Sequence, residues 1–293
     1  MPEGRGGGQP LHPALALAVA VASISWAAVL YRLAGVPGVD AAWWRLLVGS
    51  AITGLLARSA PAMLEPLHAA AGLSLAAHFT LWFESLRYTS VAASTGIVVT
   101  YPVYVTAAEV LVDREPICAR RALGPIAAVA GVALLAEPWK GGLTLLGGLL
   151  ALAGALAASL YFYLGRRARR AGAPLGGYTL SVYTWALVGA SLWALASASN
   201  PLGVPRGSLP FLVLLGVVPM LGGHTMMNYA LRYYPASTVT TVALLEPFGA
   251  SLLAWLLLGE EPPPLALPGL ALAVGGSALT LLGCGGAGEP AED

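Results

Sequence analysis

The sequence predicts an all-α integral membrane protein with ten transmembrane helices, built as two inverted five-helix repeats. Three observations predict this fold. The 293 residues are 57% hydrophobic and only 10% charged, with a mean hydropathy of +0.75; a soluble domain carries about 25% charged residues and could not clothe a water-facing surface from this composition. The apolar residues fall into ten stretches near the length of roughly 20 that crosses a hydrocarbon core. Finally, residues 84–136 lie on residues 229–281 without a gap, 145 positions apart. Leu86-Arg87-Tyr88 then meets Leu231-Arg232-Tyr233, Thr95 meets Thr240, and Pro102 meets Pro247. Glu115 meets Glu260, Gly124 meets Gly269, Gly131 meets Gly276, and Ala133-Leu134 meets Ala278-Leu279. Shared apolar composition alone would not place helix punctuation and midhelix prolines in register.

The first helix is expected near 13–33. It follows one basic residue, Arg5, and is longer than the apolar core of a signal peptide, so it reads as a membrane helix. Gly35-Val36-Pro37-Gly38 separates it from a second helix at 40–57. The third, 67–87, and the fourth, 91–112, are joined by a short link. Asp113-Arg114-Glu115-Pro116 ends the fourth, and the fifth is expected at 121–137. Glu137-Pro138-Trp139-Lys140-Gly141-Gly142 leads into the sixth, 143–165. The seventh, 176–197, ends at Asn200-Pro201, and the eighth covers 209–231. The ninth, 236–258, and the tenth, 265–283, flank Pro262-Pro263-Pro264. The repeats therefore span 13–139 and 140–283, between tails at 1–12 and 284–293.

Basic residues orient the chain. With a cytoplasmic N-terminus, the inside holds Arg5, Arg58, Arg114, Arg120, Arg121, Arg166, Arg167, Arg169, Arg170 and Arg232, and the outside holds Arg32, Arg87, Lys140 and Arg206. The run after the sixth helix is the strongest single vote, and it could also touch anionic lipid headgroups. Both termini are expected in the cytoplasm and the chain in the plasma (inner) membrane. Five helices per repeat is an odd number, so the second half enters the bilayer upside down.

Ten helices as five plus five resemble the drug/metabolite transporter superfamily, and specifically its EamA-like members. Gly259-Glu260 and Arg114-Glu115 resemble the pair that often ends the penultimate helix of each half in that family. The connection Leu231-Arg232-Tyr233-Tyr234-Pro235-Ala236-Ser237 and the signature Leu244-Leu245-Glu246-Pro247 are similar to the family's ninth-helix region, with Leu86-Arg87-Tyr88 and Tyr101-Pro102 as first-half counterparts. The first half departs at Tyr101, where the second has Glu246. The resemblance implies transport of small organic solutes, such as amino acids, metabolites or drugs, without naming one. It further implies a secondary carrier, most simply an exporter, that works by alternating access. Helices one to four and six to nine would enclose a central cavity, with five and ten flanking it.

Polar groups are costly in hydrocarbon, so those that stay there are the candidates for function. Glu246 is the deepest carboxylate, and Pro247 beside it removes a backbone donor and exposes the carbonyl of Ala243. Its bland alternative is a packing hydrogen bond. Tyr101 occupies the same depth in the fourth helix and offers an aromatic face and a hydroxyl, although tyrosine is also an ordinary packing residue. His78 and Trp82 are one turn apart on the third helix, and His224 and Asn228 make the same i, i+4 pair on the eighth. A lone intramembrane histidine is often a neutral imidazole in a hydrogen bond. Trp26, beside Ser25 in the first helix, is the last candidate and could equally be core. Protons are a candidate coupling ion through Glu246 or His78. Arg45 and Glu84 both fall towards outer helix ends and are expected to pair, while Glu109 should reach water or the Arg120/Arg121 loop. Gly147, Gly148, Gly154 and Ala158 form a small-residue face on the sixth helix that permits close packing and leaves a homodimer open.

Other classes have little support. No GxSxG, HExxH, Asp-rich diphosphate or Walker motif favours an enzyme or an ATP-driven pump. A net charge of +1 without a basic stripe gives no case for nucleic acid. Cys118 and Cys284 are far apart and lack CxxC or zinc-type spacing, which argues against a disulfide or a metal site. No cofactor is expected. The expected partners are a small-molecule substrate and the lipid bilayer, and the remaining alternative is a passive facilitator on the same fold.

Overall fold

Each of the ten apolar stretches forms a helix, and four of the helices are interrupted near their middle. The computed structural model describes residues 11–85, 87–89, 91–137 and 144–284; Arg5, Leu86, Lys140 and most of the two tails lie outside them. The helices are α1 (Pro13–Ile24 and Ala27–Ala34), α2 (Gly38–Leu56), α3 (Pro66–Ser85), α4 (Val91–Val98 and Tyr101–Leu111) and α5 (Ala119–Ala136). The second set is α6 (Leu145–Arg170), α7 (Leu175–Ala196), α8 (Leu209–Leu215 running through Gly216–Thr225 into Met226–Ala230), α9 (Ala236–Ala243 and Glu246–Leu258) and α10 (Ala266–Leu281). Among the described residues six helices are long and apolar enough to cross a membrane, and Gly96–Leu111 and Ala266–Leu281 are shorter apolar helices. Helices α2 and α3 have 19 and 20 residues. Their length suffices for a span, but they carry the polar residues Asp40, Arg45, His68, His78 and Glu84.

Two of the interruptions follow the repeat. α4 breaks at Val99–Thr100 and α9 at Leu244–Leu245, so Tyr101 and Glu246 each open the second segment of their helix with a proline next in line. A proline in a first turn costs no hydrogen bond, whereas the same residue inside a continuous helix would remove one. Both helices also end alike. The N–H of Glu115 donates to the carbonyl of Glu109 at 3.0 Å, and that of Glu260 to Ala254 at 3.3 Å. The residue before each glutamate is left-handed: Gly259 at φ 72° and Arg114 at φ 54°. Glycine takes this conformation freely, and arginine does not.

In α1 the Ser25 hydroxyl donates back to the Val21 carbonyl at 2.7 Å, a bond that bends helices. In α8 the chain widens to a π-helix over Gly216–Thr225, which accommodates Pro219. α6 extends to Arg170, beyond the expected 165, so the arginine run forms its last turns rather than a loop.

α5 and α10 cross with almost no side chain between them. A Cβ on Gly124 would lie 2.7 Å from the Gly276 carbonyl oxygen, and one on Gly269 would lie 2.5 Å from that of Gly131. The repeat turns the first contact into the second, so an approximate two-fold axis passes between Ala128 and Ala273. The same antiparallel register brings Cys118, before α5, to Cys284, after α10. The two form a disulfide, with Cα atoms 5.6 Å apart. That corrects the expectation drawn from their separation in sequence, which ignores how the axis folds the two ends together.

The small-residue face of α6 is used inside the chain. Gly154 lets α3 approach, with the His78 carbonyl and Trp82 nitrogen 3.5 and 3.3 Å from where its Cβ would be, and Ala158 is fully buried.

Candidate functional site

Where the interrupted helices meet, a cavity of about 440 Å³ opens between the two halves. Its depth is lined by Arg45 from α2, His78, Phe79 and Trp82 from α3, Tyr101 from α4, Phe162 from α6, His224 from α8, and Glu246 and Pro247 from α9. Val132, Leu135 and Ala136 add the last turns of α5, so α5 is part of the wall and does more than flank it. The mouth carries Arg32, Glu260 and Glu261, and Arg32 there donates to Glu260.

The opposite end is sealed by two polar layers. Nearest the cavity, Asn228 donates to the Tyr161 hydroxyl at 2.7 Å and the His224 carbonyl at 2.9 Å, while the Tyr183 and Thr225 hydroxyls lie 3.0 Å apart. Beyond them lies the arginine-rich end. Glu109, 1% exposed, accepts from Arg121 at 3.0 Å and from the backbone N–H groups of Ala236 and Ser237 at 2.6 and 3.3 Å. Glu109 therefore turns inward to the Arg121 side of that loop and is buried away from water. Arg121 also donates to Glu115 at 3.0 Å, and Arg170 to Glu115 at 3.2 Å. Arg166 donates to the carbonyls of Leu231 and Arg232 at 2.7 and 3.1 Å, and Arg169 to that of Asn228 at 3.1 Å. The arginine run closes one end of the molecule.

Five of the seven residues singled out from the sequence line this cavity: Glu246, Tyr101, His78, Trp82 and His224. Tyr101 stacks on Phe162 with centroids 5.8 Å apart. The ring of His224 is held among Phe79, Tyr161 and Phe162 at 5.4 to 6.2 Å. The His78 Nδ1 lies 3.0 Å from the Gly154 carbonyl. A carbonyl only accepts, so Nδ1 carries a proton and Nε2 is the atom left for a partner. Two candidates are elsewhere. Asn228 is fully buried beneath the floor and holds Tyr161 and His224 in place. Trp26 falls at the α1 break, is 36% exposed, and does not line the cavity; sequence depth places a residue along a helix but not around it.

Arg45 is the residue that sequence reasoning misplaced. It does not pair with Glu84, which bonds Arg87 at 2.7 Å instead. The Arg45 side chain turns inward and is 2% exposed. Its guanidinium lies over the Phe79 ring at 4.3 Å, and a long 3.4 Å bond reaches the Pro219 carbonyl in the widened part of α8. Like Glu246, it lines the depth of the cavity. An arginine eight residues into a short, polar helix is a signal that could have marked it for the interior.

A model of the EamA-like transporter family matches residues 12–136 and again residues 145–282, one match to each half. A curated relative from Streptantibioticus cattleyicolor, a probable terminal-alkyne amino-acid exporter, is 34% identical over 108 residues. That match covers 36% of this chain and 35% of the relative, about a third of each. A protein of known crystal structure superposes with a TM-score of 0.76 over 92% of this chain and 96% of its own, at 22% identity, and so shares the fold. The helices, the two-fold match and the cavity agree: the chain belongs to the EamA-like transporter family and is a multi-pass membrane transporter of small solutes rather than an enzyme.

Proposed function

We propose that the protein is a secondary carrier that exports amino acids or closely related small metabolites by alternating access. The observation that carries this reading is the cavity, which lies between the halves, opens at the Arg32/Glu260 end and is sealed at the arginine-rich end. Its volume falls within the range of about 300–1,000 Å³ usual for small-molecule sites. A carrier needs such a one-sided opening, whereas a conducting channel needs a continuous path. The positive-inside rule assigns the arginine-rich end and both termini to the cytoplasm of a plasma (inner) membrane, so this state opens outward. The relative named as a probable amino-acid exporter supports both the substrate class and the direction. Protons would couple through Glu246 or His78, the cavity's two deep candidates for proton exchange.

Counterflow in proteoliposomes tests the proposal. Vesicles preloaded with unlabelled amino acid should take up labelled amino acid saturably and faster than empty vesicles, and a pH gradient should change the rate. Linear, unstimulated flux would establish a passive facilitator instead. A Glu246→Gln protein with normal transport and an unchanged pH profile would remove Glu246 from coupling.

A further inference from the structure

Two charged side chains, Arg45 and Glu246, stand in the depth of the cavity, and neither forms an ion pair among the described residues. The Arg45 guanidinium has five N–H donors and among the described residues makes only the long bond to Pro219. No carboxylate forms an ion pair with it among those residues. Glu246 is equally unmet: its backbone carbonyl accepts from Ser25, but no hydrogen bond to its carboxylate is found among the described residues.

Two arginines and three carboxylates line the cavity, with Arg32, Glu260 and Glu261 at its mouth and Arg45 and Glu246 in its depth. At the mouth Arg32 and Glu260 bond each other. In the depth one cation, Arg45, and one anion, Glu246, face the same space. They are nevertheless not an ion pair. Around them the wall is apolar and aromatic, with Phe79, Trp82 and Phe162.

From this we infer that Arg45 and Glu246 form a two-point receptor for a zwitterion, the head of an α-amino acid with an apolar side chain. The guanidinium receives the α-carboxylate through parallel N–H bonds, the arrangement that suits its fork. The Glu246 carboxylate receives the α-ammonium. The side chain of the solute lies along the aromatic wall. A zwitterion satisfies both charges and brings no net charge into the bilayer. A simple amine or a simple acid leaves either Arg45 or Glu246 buried without a counterion, which is costly. The inference rests on the transport reading above and gives its substrate a defined charge pattern.

The test is displacement of labelled L-leucine from the purified full-length protein in detergent, together with the counterflow assay. Three competitors share the same isobutyl side chain: L-leucine, 3-methylbutylamine without the carboxylate, and 4-methylpentanoate without the ammonium. Each single-charge analogue should need on the order of 10- to 100-fold more material than leucine, the range expected for losing one charged hydrogen-bonded contact. In Glu246→Gln the leucine preference over 4-methylpentanoate should collapse towards parity, while the preference over the amine remains. In Arg45→Gln the opposite preference should collapse. The wild-type series stands even if either variant fails to fold. A wild-type protein that binds the amine or the acid as well as leucine overturns the inference. So does one that exchanges other solutes but shows no saturable leucine binding, and the carrier reading then survives. Absence of counterflow for every solute overturns the carrier reading and this inference with it.

Discussion

The hydroxyl of Ser25 lies 3.3 Å from the carbonyl oxygen of Glu246, where the break in α1 meets the break in α9. A second serine does the same in the other half: Ser159 donates to its own helix at Ala155 and to the carbonyl of Tyr101 at 3.1 Å. Both serines reach a carbonyl at the start of the second segment of an interrupted helix. They fix the height at which Glu246 and Tyr101 enter the cavity. Ser25→Ala should cost about 1 kcal/mol of stability, a typical hydrogen bond, and should raise KM in counterflow more than it lowers the melting temperature. Gly249→Ala should be worse, because its Cβ would meet the Ser25 side chain. Equal KM values for wild type and Ser25→Ala would show that the bond positions nothing.

The α5–α10 crossing sets up a controlled pair of substitutions. Gly131→Ala forces a methyl group onto the Ala273 nitrogen, 2.7 Å from the Cβ position, and overpacking of this kind costs about 1–3 kcal/mol. Gly275→Ala, one residue from the crossing, meets nothing within 4 Å and should leave the melting temperature unchanged or slightly raised. Similar melting curves for the two variants would contradict the close approach.

Arg114 holds a conformation that suits glycine, as its counterpart Gly259 shows. A left-handed residue with a side chain costs about 1–2 kcal/mol. Arg114→Gly should therefore stabilise the protein by about 0.5–1 kcal/mol after the extra freedom of the unfolded chain is discounted. A lowered melting temperature would mean that the arginine side chain contributes more than its backbone costs.

Glu109 gathers three donors from two parts of the chain. Glu109→Ala leaves Arg121 short of a partner and two N–H groups orphaned, and breaking a buried pair in this way costs about 3–5 kcal/mol. Glu109→Gln keeps an acceptor for the N–H groups and should fall in between. The loss should also loosen the sealed end, seen as faster labelling of a Ser237→Cys thiol from that side. Unchanged labelling would place the seal elsewhere.

Much of this architecture is legible in one dimension. Apolar length marks the helices, and the register of Pro102 with Pro247 marks where two of them break. The intramembrane polar residues Glu246, Tyr101 and His78 stand out because hydrocarbon makes them expensive. Rotation about a helix axis is harder to read. In α2 the apolar and polar residues show no clear face, so Arg45 could be given a depth but not a direction, and Glu84 at a similar depth looked like its partner. Trp26 shows the same limit: its depth is legible, but not that it stands at the Ser25 break, 36% exposed. Cys118 and Cys284 needed the two-fold axis, which becomes visible only when Gly124 is seen against Gly276.

The approximate two-fold axis has a consequence for the state that is not pictured. Ser25 and Ser159 occupy equivalent places, the same spacing sets Arg32 on Arg166, and the register of 84–136 on 229–281 sets Glu115 on Glu260. Under the alternating-access proposal, the arginine-rich end is the template for the Arg32/Glu260 end in its shut form. Arg166 is clasped to the carbonyl of Arg232, so Arg32 would swing from Glu260 to the carbonyl of Arg87. An Arg32→Cys, Arg87→Cys pair should cross-link only in molecules that have closed at the Arg32/Glu260 end. One half, read through the symmetry, is a mould from which the other half's next pose can be cast.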